Sequence, residues 1–343
     1  MDNEFNFVMT DDGSVGLYNN KVKDIYHSKS GAYLEACEKF VKPLIDINYF
    51  KSKNAFSVLD ICYGIGYNSK ALLNNITNKS FSIDSLDTNR TLVALSPLIK
   101  DSINNIDLKL FILESVLKSY NNFDEYYPEI YPYLNDSYFQ FFDTPILNLL
   151  SLIQKHGYNL SYQPNSCGFL HNIYYRYISN QLKQDFKSTN NLKFYINDAR
   201  ISLKTIDKKY DIVFLDAFSP QKDPTLWTID FLSLISKHLD DNSVILSYSK
   251  STPFRSALLE LGFNVGKTFI NEIDMGTIAS KNKSNIQNPL SDYDIKLINT
   301  KSGITYKDTN LSLQPTDILL NREQEQKLSN RISHTKFLKM SES

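Results

Sequence analysis

Over the first 30 residues apolar and polar positions alternate on either side of a polar turn: FNFVMT, then DDGS, then VGLYN. Strict alternation is the period of a strand with one buried face, and Asp12-Gly13 supplies the residue types of a tight hairpin turn. The spacing changes in GAYLEACEKFVKPL, where Tyr33, Cys37, Phe40 and Val41 fall on one helical face. That pattern predicts a helix stopping near Pro43. From residue 56 short apolar runs take over. FSVLDI (56–61), FSIDSLD (81–87), LKFYI (192–196), DIVFLD (211–216) and SVILSYS (243–249) read as strands, with amphipathic segments between several of them. In WTIDFLSLISKHL, for example, Phe231, Leu234, Ile235 and Leu239 share a face. Near-continuous apolar strands separated by helices predict an α/β fold whose parallel sheet is covered on both faces. GFNVGKTFI and MGTIASK read as a terminal antiparallel pair.

One region breaks this rhythm. About a hundred residues separate the second of these strands from LKFYI, far more than a βα unit needs. The stretch holds one predicted helix (Ile146, Leu149, Leu150, Ile153) and much tyrosine and phenylalanine. Residues 114–146 carry six Asp/Glu against one Lys, whereas residues 171–209 carry eight Lys/Arg against three Asp, with Tyr174, Tyr175 and Tyr177 interleaved. Two readings follow: a helical insert, at about 114–190, whose aromatics pack its own core, or a substrate-docking wall, since basic and aromatic side chains together hold phosphates and stack bases. The expected organisation is an N-terminal hairpin and helix extension (1–50), a main domain (55–283) carrying the insert, and a polar tail (284–343) that either wraps the domain or is partly loose.

Composition narrows the class. A formal charge of -1 argues against a broad cationic surface, so any nucleic-acid contact must be a local patch. The longest apolar stretches, such as Ile146 to Ile153, are too short to span a bilayer, and the acidic start MDNEFNF has no apolar signal core; no membrane partner and a cytoplasmic location are expected. Cys37, Cys62 and Cys167 are too far apart for a disulfide framework or a zinc site, and His156, His171, His238 and His334 have no ligand-like spacing, so no metal is expected.

The candidate chemistry gathers where strands end. In DICYGIGYN (60–68), small residues at 62, 64 and 66 let the backbone turn sharply beneath a ligand ahead of a helix N-terminus. Ser69 stands where a dinucleotide fingerprint needs glycine or alanine, so this loop alone does not specify a nucleotide. Asp87 follows Gly64 by 23 residues, where a carboxylate can accept both ribose hydroxyls. Asp198-Ala199 follows the next strand, offering an acceptor for the adenine amine and a small apolar surface along its ring. Asp216 ends the fourth. Taken singly, each acid also reads as a strand-end cap. Together, Asp60, Asp87, Asp198 and Asp216 would fill one crevice with negative charge, which repels a pyrophosphate and suits a sulfonium; S-adenosylmethionine is favoured over NAD.

The stretches TDDGSVGLYNNKVKDIYHSKSGAYLEA, LDICYGIGYN, NDAR, LDAFSPQKDPTLW, LLELGF and MGTIAS, spread over residues 10–280, resemble the methyltransferase module of the MnmC family, which completes the 5-methylaminomethyl group on the wobble uridine of certain tRNAs. The resemblance implies a class I S-adenosylmethionine-dependent methyltransferase fold, Rossmann-like with a seven-stranded, mostly parallel sheet. It implies S-adenosyl-L-methionine as cofactor and, as partner, the anticodon arm of tRNA bearing 5-aminomethyl-(2-thio)uridine. Position by position, Asp60, Gly64, Gly66 and Asn68 match the donor-binding loop, Asp87 the ribose acid, Asp198 and Ala199 the adenine contact, and Asp216 the acid facing the reactive methyl. Cys62 stands where the family's loop has glycine. No second dinucleotide domain follows, so the FAD-dependent oxidase half of the bifunctional enzyme is expected to be absent. The amine is then supplied by an aminomethyl-forming tRNA modification system upstream.

Methyl transfer is an in-line displacement that needs the amine nitrogen about 3–3.5 Å from the methyl carbon. An alkylamine is mostly protonated near neutral pH, and Asp216 can orient the nitrogen or draw off its proton. A carboxylate and backbone carbonyls also stabilise the positive charge developing on nitrogen. Pro220 and Pro224 stiffen the loop that follows. Phe218 is placed to flank the uracil ring; Trp227 either does the same or packs a helix start. Lys222 either holds a substrate phosphate or is solvated. Tyr26 and His27, with Ser28, either close over the pocket or, for His27, form part of an ordinary loop. Two other readings stay open: an aminopropyltransferase acting on a polyamine, and a non-catalytic RNA-binding module of the same fold.

Overall fold

The computed structural model describes residues 4–20, 23–26, 29–120, 123–156, 168–181 and 188–341. Among them, ten strands form two sheets. β1 (Phe5–Met9), β2 (Val15–Asn19) and β3 (Asp24–Ile25) make an antiparallel meander. β4 (Ala55–Ile61), β5 (Ser80–Asp87), β6 (Asn191–Ile196), β7 (Tyr210–Leu215), β8 (Leu239–Ser247), β9 (Asn264–Ile270) and β10 (Ile273–Ser280) form a seven-stranded sheet of order β6-β5-β4-β7-β8-β10-β9. The pairs β5/β6, β4/β7 and β7/β8 are parallel, and β10 runs antiparallel to both β8 and β9. This is the expected mostly parallel α/β sheet with its antiparallel terminal pair.

The stop predicted at Pro43 is not observed. Helix Ala32–Ala36 passes into a π turn, Cys37–Val41, and continues as Lys42–Asp46 with Pro43 inside it. Proline lacks an N–H and its ring clashes with the carbonyl four residues back; the wider turn immediately before it absorbs both defects.

By backbone contacts the chain divides into two compact units, Met1–Cys37 with Tyr63–Asn197 and Glu38–Cys62 with Asp198–Ser343. In the first, the hairpin turn closes through the Thr10 N–H to Ser14 O (2.9 Å), with Gly13 at φ 80°. Its side chains also cap a helix that does not cap itself. Ser14 Oγ accepts from the N–H groups of Ala32 (3.0 Å) and Tyr33 (3.2 Å), and Asp12 Oδ2 from that of Leu34 (2.9 Å). The long insert carries more helix than its periodicity predicts: Ile106–Lys118, Phe123–Ile130, Thr144–His156 and Phe169–Ile173. Nor do its aromatics serve only their own core. Phe7 of β1 meets Tyr133 (5.6 Å between ring centres), Tyr138 (5.1 Å), Phe141 (5.7 Å) and Phe142 (5.5 Å).

In the second unit, Phe40 packs edge-on against Phe214 of β7 (5.3 Å), and the Tyr49 hydroxyl donates to Asp211 O and Asn242 O (both 2.9 Å). The polar segment beyond residue 283 is folded onto this unit. It forms helices Asp292–Ile298, Pro315–Leu328 and His334–Ser341, and the Ile229 N–H donates to Tyr306 O (2.9 Å). No helix among the described residues is long and apolar enough to cross a membrane.

Candidate active site

In the first unit the site is a loop and an acid. Its loop has Gly64 (φ 57°) and Gly66 (φ 82°) in the left-handed region; Cys62 (φ 66°), the residue of the second unit that precedes it along the chain, is there too. The Tyr63 N–H donates to Leu86 O (3.1 Å) and the Gly66 N–H to Tyr63 O (2.8 Å). The two glycines serve different ends. A Cβ on Gly66 would collide with the Tyr63 ring, whose hydroxyl is hydrogen-bonded to Ser96 Oγ (2.8 Å), so Gly66 makes room for the protein itself. A Cβ on Gly64 would meet nothing nearer than Tyr26 Cδ1 at 3.9 Å, which leaves a backbone surface that a ligand can approach closely. Tyr26 is half-buried over that surface, tied by its N–H to Leu17 O (2.8 Å) and by its hydroxyl, which accepts from Asn19 Nδ2 (3.3 Å). His27 lies outside the described residues.

Asp87 is the last residue of β5 and half-buried. Its Oδ2 accepts the Gly64 N–H (2.7 Å) and its Oδ1 the Asn89 N–H (2.8 Å). Burial pushes its carboxyl above the usual range, against the opposing pull of these amides. An ionised carboxylate has about four lone-pair sites, so the amides of Gly64, Asn89 and Thr88 still leave capacity for a ribose hydroxyl. The open face of Gly64 and the remaining acceptors of Asp87 fit an adenosyl ligand. Asn68 is buried in the first turn of helix Tyr67–Asn75.

In the second unit, Asp60 sits one residue inside the end of β4 and is 0% exposed. It therefore belongs to the interior in this structure and does not join an open ring of acids as expected. Asp198 caps helix Ala199–Thr205 by accepting the Arg200 N–H (2.8 Å), and Ala199 is buried behind it. Burial raises the Asp198 carboxyl, but the hydrogen bonds and charge of Arg200 outweigh it and hold the group below the ordinary range.

Asp216 directly follows β7, half-buried, with its N–H donating to Ile61 O (3.2 Å). The loop beyond it is fixed by more than its prolines. The Tyr248 hydroxyl donates to Ala217 O (2.8 Å), Trp227 Nε1–H donates to Phe218 O (2.7 Å), and Ser219 O accepts the N–H groups of Lys222 (2.8 Å) and Asp223 (3.0 Å). Pro220 is buried, Phe218 half-buried and Lys222 exposed. Of the two readings of Trp227, flanking uracil or packing a helix start, its burial favours the second. It is 0% exposed, with Phe254 edge-on at 5.0 Å and Tyr248 at 6.2 Å, and so has no face to offer a substrate. It packs the helix start and holds a carbonyl of the loop. Residue-by-residue reading of the sequence missed Tyr248, whose only signal is its place just after a strand. Arg200 stood unremarked inside NDAR.

A family model described as S-adenosyl-L-methionine-dependent methyltransferase matches residues 165–270. The chain is 31% identical over 321 residues to an uncharacterized protein of Methanocaldococcus jannaschii, covering 92% of this chain and 71% of that protein. The crystal structure of MnmC2 from Aquifex aeolicus superposes with a TM-score of 0.62 at 24% identity, covering 95% of this chain and 86% of that one. A shorter match, 34% identical over 76 residues, is to the tRNA 5-methylaminomethyl-2-thiouridine biosynthesis bifunctional protein MnmC of Hahella chejuensis. It covers 22% of this chain and only 12% of that longer protein. The fold is like that of the MnmC2 structure, and over residues 165–270 the chain is similar to S-adenosyl-L-methionine-dependent methyltransferases. The chain belongs to the family of the Methanocaldococcus jannaschii protein.

Proposed function

We propose that the protein transfers a methyl group from S-adenosyl-L-methionine to the amine of 5-aminomethyl-(2-thio)uridine at the wobble position of tRNA. The observation that carries this reading is the segment LDAFSPQKDPTLW. It sets the half-buried Asp216 at the end of β7 and fixes the next two carbonyls through Tyr248 and Trp227. The match to a protein named for tRNA 5-methylaminomethyl-2-thiouridine biosynthesis supports the substrate.

When bound, the donor supplies a methyl group activated on a sulfonium. The protein's own residues hold and orient the reactants. Gly64 and Gly66 shape the loop, Asn68 lies in the first turn of the helix after it and Asp60 lies in the strand before it; Asp87 accepts ribose hydroxyls; Asp198 and Ala199 meet the adenine. Asp216 accepts an N–H of the substrate amine, keeping the nitrogen lone pair free for attack and drawing off the proton as the new N–C bond forms. Its charge also offsets the positive charge building on nitrogen. Tyr26 covers the donor loop, Phe218 and Pro220 border the base, and Lys222 contacts a phosphate of the anticodon arm.

The test is mass spectrometry of wobble nucleosides after incubating the protein, the donor and tRNA bearing 5-aminomethyluridine. A gain of one methyl group on that nucleoside is expected. Product from putrescine and the decarboxylated donor, with none from tRNA, would assign the protein to aminopropyl transfer. Binding of tRNA with no methyl transferred would make it an RNA-binding module.

A further inference from the structure

Asp198 is gripped on both of its oxygens by one residue. Oδ1 accepts the main-chain N–H and Nε of Arg200 (2.8 and 3.2 Å), and Oδ2 accepts Nε and Nη2 (3.1 and 2.7 Å). The third guanidinium nitrogen, Nη1, donates to Asp308 Oδ2 (2.9 Å) and Leu313 O (3.0 Å). Asp308 is itself fixed: Oδ1 accepts the N–H groups of Ser312 (2.9 Å) and Leu313 (3.1 Å), and its own N–H donates to Asp230 (2.6 Å). Side-chain exposure rises along the chain of contacts, from 0% at Asp308 to 12% at Arg200 and 31% at Asp198. The arrangement is anchored in the interior and ends on a carboxylate that solvent, or a ligand, can reach.

A guanidinium is a planar, rigid fork, so fixing one arm sets the plane in which the others present their hydrogens. We propose that the C-terminal segment is part of the donor-recognition machinery: Asp308, acting through Arg200, positions Asp198 to accept the exocyclic amine of adenine and so sets the preference for a 6-aminopurine donor. Asp308 and Arg200 are positioning residues here. The inference rests on the proposed donor site, in which Asp198 meets that amine. A buried ion pair by itself says little about stability, since desolvation cancels much of the attraction. The contrary account, in which Asp308 merely staples the segment to the fold, therefore has to be separated by a measurement of base preference.

The measurement is calorimetric titration with S-adenosylhomocysteine and S-inosylhomocysteine, which differ at the purine 6-position, where an amine is replaced by a carbonyl. A site built to accept the amine is expected to prefer the adenosyl ligand by about tenfold or more. Asp198→Ala should abolish that preference. Asp308→Asn should reduce it by about threefold or more. Equal weakening of both ligands in Asp308→Asn, or an unchanged preference, would overturn the inference. An unchanged preference in Asp198→Ala would instead overturn the donor-site reading beneath it. Should Asp308→Asn not give a cooperative melt, Arg200→Lys, which keeps the charge and loses the fork, is judged by the same two outcomes.

Discussion

Replacing Trp227 with Phe separates its two readings by a free energy that the structure allows to be worked out. The indole N–H donates to Phe218 O at 2.7 Å, and the side chain is wholly enclosed. Removing that donor leaves a carbonyl without it, at about 1–3 kcal/mol. Loss of the five-membered ring opens a void between Phe254 and Tyr248. A whole large aromatic replaced by Ala costs about 3–5 kcal/mol, so roughly a third of that range, about 1 kcal/mol, applies to the missing portion. The expected destabilisation is about 2–4 kcal/mol, or a fall in melting temperature of roughly 4–16 °C for a unit of this size. Thermal unfolding of the ligand-free protein, followed by circular dichroism, reads this directly. Donor affinity should stay within several-fold, because the donor loop is not touched. A melt within about 2 °C of wild type, accompanied by loss of tRNA binding, would refute the argument and restore Trp227 as a stacking platform.

Asp87 must be ionised to accept ribose hydroxyls, and burial raises its carboxyl above the usual range. As pH falls through that raised value the free protein takes up a proton that the donor must displace, so affinity weakens with acid. Calorimetry across pH should show this loss in wild type, with weaker and flatter binding in Asp87→Ala; a flat wild-type profile contradicts the assignment. Cys62 is a non-glycine residue at φ 66°, a conformation that costs about 1–2 kcal/mol, while glycine gives back about 0.4–1 kcal/mol in the unfolded chain. Cys62→Gly should therefore raise stability by about 0.5–1 kcal/mol and Cys62→Val should lower it; the opposite order in urea midpoints would show that the loop is not strained there.

The strands were legible because their chemistry is local. Val58, Leu59 and Ile61 face Ile212, Val213 and Leu215 in the parallel register that their apolar runs predict. Helix Ile106–Lys118 was hidden for the opposite reason. From Leu110 to Leu117 every residue is buried, so no polar face remains to mark a period. The C-terminal segment escaped because polar contacts hold it. Arg322 reaches Ile304 O (2.6 Å) and Ser302 O (2.8 Å), Gln326 reaches Lys301 O (2.8 Å), and in helix Pro315–Leu328 only Ile318 is buried. At the candidate site, composition pointed to strand-end acids but could not say which would be enclosed, as Asp60 is, or which would be claimed by an arginine, as Asp198 is. The rigidity of the Asp216 loop was legible in Pro220 and Pro224, whereas its clamp by Tyr248 depends on a neighbouring strand end that no local motif announces.

The most direct measurement is single-turnover transfer of a labelled methyl group to tRNA carrying 5-aminomethyluridine, comparing wild type with Asp216→Asn at saturating donor. Transfer by wild type is predicted to fall by about two orders of magnitude or more in the variant, the size of a general-base contribution, while donor affinity changes by no more than several-fold. Equal rates in the two proteins would contradict the role assigned to Asp216, and no labelled nucleoside from wild type would contradict the proposed reaction itself.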